Sequence, residues 1–247
     1  MEHFLNIHFI FAELYSIKNT LKNMKTYIKI LIVSWVILGI FPINRTKAQE
    51  NSSERLIKFE TSMGDMVLKL YNETPLHRDN MIKLIQDSFF DNQLFHRVIK
   101  DFMVQGGDPH SVGAAKGERL GNGGPGYTIP AEFNPELIHK KGALAAARQG
   151  DSVNPEKASS GSQFYLVQGK VLTQQEINNF AQRGAPFTQE SIDIYTTIGG
   201  TPHLDGSYTI FGEIVVGLEI LDRIAATQTD SYDRPIEDVI YSISLVE

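Results

Sequence analysis

The stretch that decides this fold is Phe95-His96-Arg97-Val98-Ile99-Lys100-Asp101-Phe102-Met103-Val104-Gln105-Gly106-Gly107-Asp108. Successive side chains of a strand point to opposite faces of a sheet, so Phe95 and Arg97 should share one face and His96 the other. A polar pair at 100–101 separates this run from a second extended run, which ends in two glycines. The pattern predicts two adjacent strands that carry a guanidinium beside large apolar side chains.

Arg97 has two interpretations that this stretch alone does not separate. A guanidinium always carries its charge and presents several donors, which suits an electrophilic contact to a polar substrate atom in an apolar pocket. It can equally be an exposed arginine at the edge of a core strand. The rest of the chain has to decide between a site residue and a surface residue.

The composition is that of an ordinary soluble globular protein with one main domain. The chain has 247 residues, of which 42% are hydrophobic and 21% charged. It contains no cysteine. Disulfides, thiolate metal sites and thiol catalysis are therefore excluded.

The first 48 residues combine an upstream segment with the pattern of a secretory signal peptide, whose start is either Met1 or Met24. Lys25 and Lys29 precede an apolar run at 30–41, and Ala48 is a small residue at a plausible cleavage point. A run of this length is short for a membrane span, which needs roughly 20 residues. We expect cleavage after Ala48, a tether at 49–54 and a folded domain at 55–247, with export to the periplasm or outside the cell. The alternative is an uncleaved N-terminal membrane anchor.

The charge of the remainder argues against several partners. Residues 1–48 contribute +4 to the net charge of −6, so the remainder carries −10. Such an acidic domain is a poor match for nucleic acid or an anionic membrane surface. We expect neither as a partner.

Strand-like segments dominate the rest of the chain. Alternating runs at 55–61 and 65–71, separated by a turn at 62–64, predict a hairpin, and Thr74-Pro75 predicts a helix start. Further strands are expected at 142–147, 161–167, 208–216 and 239–246, and a helix at 217–226. Between 170 and 200 the strand rhythm breaks, and starts at Thr173 and Thr188 predict two helices. Many antiparallel strands with few helices favour a closed or nearly closed β-barrel.

Familiar catalytic patterns are missing from the sequence. The seven histidines form no HxxxH or HExxH spacing and no acid–histidine cluster, and the segment 161–163 is not a G-x-S-x-G elbow. The glycine-rich segment 121–126 lacks the ending of a phosphate-binding loop and is interpreted as backbone turning. What remains is Arg97, Gln105, Gln163, several aromatics and Leu204. This set fits binding, or a reaction that breaks no covalent bond, with no metal.

Four motifs then occur in order within residues 55–247. They are Phe95-His96-Arg97, Phe102-Met103-Val104-Gln105-Gly106-Gly107-Asp108, Gly161-Ser162-Gln163-Phe164, and Leu204-Asp205-Gly206 with Phe211-Gly212. In order and spacing they resemble the cyclophilin family of peptidyl-prolyl cis-trans isomerases, and the segment 123–133 resembles its bacterial branch. The resemblance implies a mainly β fold, a closed eight-stranded antiparallel β-barrel capped by two α-helices. A helical insertion at about 170–200 departs from that pattern.

The resemblance also assigns site residues. Arg97 would be the catalytic residue, and Gln105 and Gln163 would hold the peptide backbone. The residues that would line or back the proline pocket are Phe102, Met103, Tyr165, Leu204 and Phe211. Ala147 and Arg148 lie where family members pair with the bound peptide. Three positions differ from the best-known eukaryotic pattern: His203 replaces a tryptophan, Tyr208 a histidine and Tyr165 a phenylalanine.

The implied function is acceleration of X-Pro bond rotation in exported proteins, as a folding catalyst or chaperone. The implied partners are proline-containing polypeptides and unfolded exported proteins, with no cofactor. We expect a monomer with no stable membrane insertion after cleavage. A proline-peptide-binding module or holdase with little turnover is the alternative, which the joint presence of Arg97, Phe102, Gln105 and Gln163 disfavours.

Overall fold

The computed structural model describes residues 55–184 and 187–246. The predicted signal peptide at 1–48 and the tether at 49–54 lie outside the described residues. Within the described ranges, no helix combines the length and the apolar character that crossing a membrane would need.

Eleven β-strands, all in antiparallel pairs, make the described part of the chain mainly β. Their bounds are β1 (Arg55–Thr61), β2 (Gly64–Leu70), β3 (Gln93–Leu94), β4 (Arg97–Ile99), β5 (Met103–Gly106), β6 (Thr128–Ile129), β7 (Ala143–Ala146), β8 (Ser159–Ser160), β9 (Phe164–Val167), β10 (Ile210–Val216) and β11 (Ile240–Leu245). Strands β6 and β8 pair with each other, and the other nine form one sheet. The predicted strands and the β1–β2 hairpin are confirmed.

The nine-stranded sheet curls so that its two end strands are neighbours in sequence. Its order is β3-β11-β1-β2-β10-β7-β9-β5-β4, and only Phe95 and His96 separate β3 from β4. No ladder joins β3 to β4 within the described residues. A curled nine-stranded antiparallel sheet is therefore what the structure establishes, and the closed eight-stranded barrel stays a prediction.

Four α-helices accompany the sheet in the described ranges: α1 (Pro75–Gln86), α2 (Gln174–Gln182), α3 (Gln189–Thr197) and α4 (Leu218–Ala225). Helices α2 and α3 begin with capping boxes at Thr173 and Thr188, in which the Thr hydroxyl accepts from the N3 backbone N–H. Both predicted helices of the 170–200 insertion are confirmed. Their apolar sides meet in a small core of their own around Leu172, Ile177 and Tyr195.

The start of α1 differs from the prediction in one respect. Pro75 opens the helix as expected, but the Thr74 hydroxyl makes no capping bond and is buried with no partner among the described residues. The Glu132 carboxylate instead accepts from the backbone N–H groups of Leu76 and His77, both at 3.0 Å. A carboxylate 55 residues away in sequence from His77 thus accepts from two free N–H donors of the first turn. Its negative charge also interacts favourably with the positive end of the helix dipole.

Two apolar clusters occupy the two faces of β9, as its alternation predicts. Phe164 and Leu166 belong to the main core, where the Phe164 ring meets Phe59 edge-on at 5.5 Å. Tyr165 and Val167 belong to a second cluster on the opposite face of the strand. Each buried aromatic or aliphatic side chain contributes roughly 1.5–3 kcal/mol to folding. The second cluster is the one that forms the floor of the candidate site.

Candidate active site

Nine of the twelve predicted site residues line one open groove of about 350 Å³. They are Arg97, Phe102, Met103, Gln105, Ala147, Arg148, Tyr165, Leu204 and Tyr208. Strands β4, β5 and β9 and the two residues that follow β7 supply the floor, and the segment after α3 supplies Leu204 and Tyr208. The other three predicted residues, Gln163, His203 and Phe211, lie outside the lining.

The groove has an apolar floor and a partly exposed apolar rim. Met103 and Tyr165 are buried at 2% and 5% exposure, while Phe102, Leu204 and Tyr208 pack against them and stay partly exposed. Burial raises the pKa of the Tyr165 hydroxyl well above its usual value, so it remains a protonated donor. A pocket of this kind suits a compact apolar ring such as that of proline.

Arg97 reaches the groove with donors to spare. It lies opposite Gln105 in the β4–β5 ladder, and its Nη1 donates a long hydrogen bond to Gln105 Oε1 at 3.5 Å. Its Nε lies 3.4 Å from Asp233 Oδ2, and both side chains are 43% exposed. No described residue accepts from Nη2. The guanidinium is therefore held loosely on one side and can donate to a ligand on the other.

A chain of side-chain amide hydrogen bonds holds Gln105, the partner of Arg97, in place. Gln105 Nε2 donates to Gln163 Oε1 at 3.0 Å, and Gln163 Nε2 donates to the carbonyls of Gly121 and Gly123, both at 2.8 Å. Gln163 is 8% exposed and does not line the groove. Its amide group is used inside the protein and braces Gln105, and the direct hold on the peptide that the resemblance implies stays a prediction.

The glycine-rich segment 121–126 forms the wall that receives this amide chain. The buried Asp108 carboxylate accepts from the backbone N–H groups of Gly121 and His110. Burial alone would raise the pKa of Asp108, but these backbone donors outweigh it and hold that pKa below its usual value. A Cβ on Gly123 would collide with the same carboxylate. The interpretation of this segment as backbone turning is confirmed.

Ala147 and Arg148 differ in whether their main-chain N–H and C=O groups are available to a ligand. The Ala147 N–H donates to Gln163 O at 2.9 Å and its carbonyl accepts from Ser160 N at 2.8 Å, so its main chain is occupied. The main chain of Arg148 has no partner among the described residues. The Arg148 side chain is held by Ser207 O at 2.8 Å and lies 4.5 Å from the Tyr208 ring centroid. Of the two, Arg148 is the residue able to pair with an extended peptide.

His203 and Phe211 are not among the residues that line the groove. The exposed His203 ring stacks on Phe102 at 5.6 Å and on Phe180 of the insertion at 6.2 Å. Phe211 is 4% exposed and belongs to the main core, because alternation along β10 turns Ile210 toward the groove side and Phe211 the other way. Phe211 therefore does not line the groove in this structure, and a supporting role behind the pocket stays a prediction.

His96 lines the groove, although strand alternation placed it on the face opposite Arg97. The chain leaves one ladder and enters the next at this residue, which breaks the alternation. The ring is 4% exposed, and neither of its nitrogens has a partner in the described part of the chain. Burial lowers the pKa of His96 to about 4, which exceeds the opposing effect of Asp108. His96 is therefore neutral near pH 7.

The expectation of no acid–histidine cluster is wrong, because the described residues contain two hydrogen-bonded acid–histidine pairs. The first joins His139 and Asp205, which lie 66 residues apart, with Nδ1 of the histidine 2.8 Å from Oδ1 of the aspartate. Nε2 of His139 lies 2.9 Å from the Tyr165 hydroxyl, and the Tyr195 hydroxyl donates to Asp205 Oδ2 at 2.6 Å. The network ties the groove floor to helix α3.

The second pair has the geometry of a nucleophile triad. His77 Nδ1 lies 2.6 Å from Glu132 Oε2, and His77 Nε2 lies 2.9 Å from the Ser159 hydroxyl. His77 is 2% and Ser159 1% exposed, so a substrate cannot reach the serine. Burial lowers the pKa of His77 despite the neighbouring carboxylate. Spacings of 55 and 82 residues along the chain gave no sequence signal for this network. Its burial favours a structural role over a catalytic one.

Metal binding finds no matching arrangement in the described ranges. No group of three His, Asp or Glu side chains converges there as a metal site would need. The groove itself presents a charged donor, amides and apolar walls.

Comparisons with known proteins identify the same family that the sequence motifs resemble. The family model described as cyclophilin type peptidyl-prolyl cis-trans isomerase/CLD matches residues 56–245. A Staphylococcus aureus protein described as a peptidyl-prolyl cis-trans isomerase is 37% identical over 185 residues, which are 74% of this chain and 87% of that protein. A Staphylococcus epidermidis relative with the same description is 35% identical over 201 residues, covering 81% and 94% of the two chains.

Solved structures of similar fold come from Cryptosporidium parvum. A crystal structure of its cyclophilin type peptidyl-prolyl cis-trans isomerase superposes with a TM-score of 0.57 at 25% identity, covering 78% of this chain and 98% of that one. A second structure of that protein, determined in the presence of the dipeptide Ala-Pro, superposes with a TM-score of 0.56.

Proposed function

This chain belongs to the cyclophilin-type peptidyl-prolyl cis-trans isomerase family, and from that premise we propose how its residues accelerate X-Pro rotation in exported polypeptides. The observation that carries the proposal is Arg97, a half-exposed guanidinium with unused donors at the rim of an apolar groove. Rotation about a peptide bond breaks no covalent bond, so the reaction needs neither a nucleophile nor a cofactor.

Arg97 acts on the bond that has to rotate. Resonance gives the peptide bond a rotation barrier of about 18–20 kcal/mol. In the twisted transition state the prolyl nitrogen loses conjugation and regains a lone pair, which accepts a hydrogen bond from the guanidinium. Neither planar isomer offers that lone pair, so the interaction stabilises the transition state more than the ground states.

The surroundings of Arg97 strengthen this contact. The apolar surface of Phe102, Met103 and Leu204 holds the proline ring and excludes water, and a hydrogen bond to a charge is stronger where water is excluded. Gln105, fixed by Gln163, limits how far the guanidinium can turn. The free main chain of Arg148 pairs with the substrate backbone and sets the position of the prolyl bond.

We infer that the curled sheet closes into the family's eight-stranded barrel through the segment 93–99. The Phe95 N–H donates to Val239 O at 3.0 Å beside β11, and the next N–H, of His96, donates to Gln105 O in β5 at 3.1 Å. Counting β3 and β4 as one bent strand gives eight strands in a ring. This closure supports the site directly, because it places Arg97 just after the bend.

Export is proposed from the N-terminal pattern. Cleavage after Ala48 removes Trp35, the single tryptophan of the chain. Exported protein should therefore have a mass that begins at Gln49 and show only tyrosine fluorescence, in the periplasm or outside the cell. A membrane-bound form that still contains Trp35 would support the uncleaved anchor instead.

Turnover is tested on a short peptide that contains Ala-Pro-Phe. Exchange between the cis and trans isomers is measured by NMR with catalytic amounts of the purified protein. It should be many times faster than uncatalysed isomerisation, which takes tens of seconds or longer. Peptide binding without faster exchange would reject the isomerase and favour a proline-peptide-binding module or holdase.

A further inference from the structure

We propose that the inserted helices build a subsite of the substrate groove, in which Phe102, His203 and Phe180 form an apolar ring surface for the side chain flanking the prolyl residue. The proposal rests on the proposed function and specifies its substrate class as proline with a bulky apolar or aromatic neighbour. Phe180 lies in helix α2, within the insertion.

The three rings form a nearly parallel ladder that starts in the groove. Phe102 lines the groove, and its ring centroid lies 5.6 Å from that of His203 at an interplanar angle of 26°. His203 continues to Phe180 at 6.2 Å and 18°. His203 is exposed, while Phe102 and Phe180 are partly buried. The ladder thus extends the apolar wall of the groove outward onto the insertion.

The buried network holds the insertion in a defined position beside the groove. The Tyr195 hydroxyl of helix α3 donates to Asp205, and the other carboxylate oxygen of Asp205 accepts from His139. Burial raises the pKa of Tyr195, so its proton stays on the hydroxyl. Asp205 lies two residues after His203, so the network also positions the central ring of the ladder.

The main chain anchors the insertion a second time. Gly200 forms bridges to both Lys140 and Lys170, and Leu172 N donates to Tyr195 O at 2.9 Å. Gly200 has a φ of +153°, and a Cβ at this position would collide with the carbonyl of His139. Only glycine allows this close approach, which fixes the end of the insertion against His139, whose ring contacts the groove-floor residue Tyr165.

The chemistry of the ladder selects the occupant. Although His203 is exposed, the stacked neighbours desolvate its ring in part and lower its pKa, with a further contribution from His139, so the ring favours its neutral form. Aromatic rings attract other rings and aliphatic groups, and a ring pair adds about 0.5–1.5 kcal/mol beyond the buried area. Because Phe102 belongs to both the groove and the ladder, the side chain that reaches the ladder is the one next to the bound proline.

The test compares peptides that differ only at the residues flanking proline. The purified protein is assayed on Ala-Xaa-Pro-Yaa-type peptides in which one flanking position at a time is Ala, Leu, Phe or Glu. At one of the two positions, the wild type should favour Phe over Ala by about two- to tenfold in kcat/KM. Phe180→Ala should abolish this preference and leave the Ala peptide within about twofold. Phe180→Leu should give an intermediate preference.

Phe187→Ala is the matched control. Phe187 belongs to the same insertion and packs edge-on against Tyr195 at 6.1 Å, away from the ladder. This variant should keep the wild-type peptide ranking. Thermal melting of each variant shows whether it is folded, and a folded Phe180→Leu keeps the test valid if Phe180→Ala unfolds.

The outcomes separate the subsite from the proposed function. If the wild type isomerises all peptides with no preference for a flanking ring, or if Phe180→Leu and Phe180→Ala lower all rates equally, the subsite is rejected while the isomerase stands. If the wild type accelerates no peptide, the isomerase is rejected. NMR shifts of the His203 ring protons on adding the Phe peptide, absent with the Ala peptide, would then still support binding at the ladder.

Discussion

Arg97 with its amide partners and Ser159 with His77 and Glu132 are the two polar arrangements that most resemble catalytic machinery here. By distance alone the serine set is the better formed, with contacts of 2.6 and 2.9 Å against 3.4 and 3.5 Å around Arg97. By access the order reverses, because Arg97 is 43% exposed whereas Ser159 is 1% exposed.

This difference teaches that unused bonding capacity and access identify a working site better than tight geometry does. A side chain whose donors and acceptors are all satisfied internally stabilises the fold, since leaving a buried group unpaired costs about 1–3 kcal/mol. A side chain with spare donors on a groove can act on a ligand. Arg97 with its amide partners (the first set) should therefore govern turnover, and Ser159 with His77 and Glu132 (the second set) should govern stability.

Arg97→Ala should separate the two sets most sharply. We expect kcat/KM to fall by about two to three powers of ten, or roughly 3–4 kcal/mol, as for loss of one charged transition-state donor. The free energy of unfolding should change by less than about 1 kcal/mol, because the exposed pair with Asp233 contributes little. Arg97→Lys should recover part of the rate, since an ammonium lacks the fork of donors. Near-normal turnover in folded Arg97→Ala would remove Arg97 from the mechanism.

Acid should weaken the fold while leaving the chemical step unchanged. The pKa of His96 is about 4 in the folded protein against 6.5 in the unfolded chain, so the unfolded chain takes up the proton first. Stability is thus full above pH 6.5 and falls by about 3 kcal/mol from this histidine as the pH drops to about 4. The lowered pKa values of His77 and His203 act in the same direction.

Denaturant melts across this pH range measure the effect. His96→Phe should remove most of the slope, whereas the exposed His110→Gln should retain it. Isomerase rates should be nearly flat from about pH 6 to 9, because arginine stays protonated there. A rate that titrates in that range would point to a general base and against Arg97.

His77→Ala tests the second set directly. It removes a buried ring and leaves the Ser159 hydroxyl without its partner, so we expect a loss of roughly 2 kcal/mol in the free energy of unfolding. The rate constants of the folded variant should stay within about twofold of the wild type. A large loss of turnover at unchanged stability would mean that this network serves the groove.

Ser159→Ala should have the smallest effect. Loss of one buried hydrogen bond is expected to cost about 1 kcal/mol of stability. Neither protein should hydrolyse p-nitrophenyl acetate above the background rate, and isomerase activity should be unchanged. Ester hydrolysis that depends on Ser159 would contradict the conclusion that burial keeps substrates away from this serine.

Much of the fold could be predicted from the sequence, because the signals are local. Alternation defines the strands, and the capping boxes at Thr173 and Thr188 define two helices through bonds that span only three residues. Nine of the site residues that were identified from the motifs also lie in one groove. These features depend on backbone periodicity and short-range hydrogen bonds, which a linear sequence displays directly.

Only the tertiary structure decided which way the remaining side chains turn and what they meet. His96 reaches the groove because the strand bends there, Gln163 turns inward to two glycine carbonyls, and Phe211 faces the main core. The pairing of His139 with Asp205 spans 66 residues, and the contact of Phe180 with His203 joins an inserted helix to the groove. Such contacts arise from the packing of distant segments, and no local pattern in a sequence records where those segments come together.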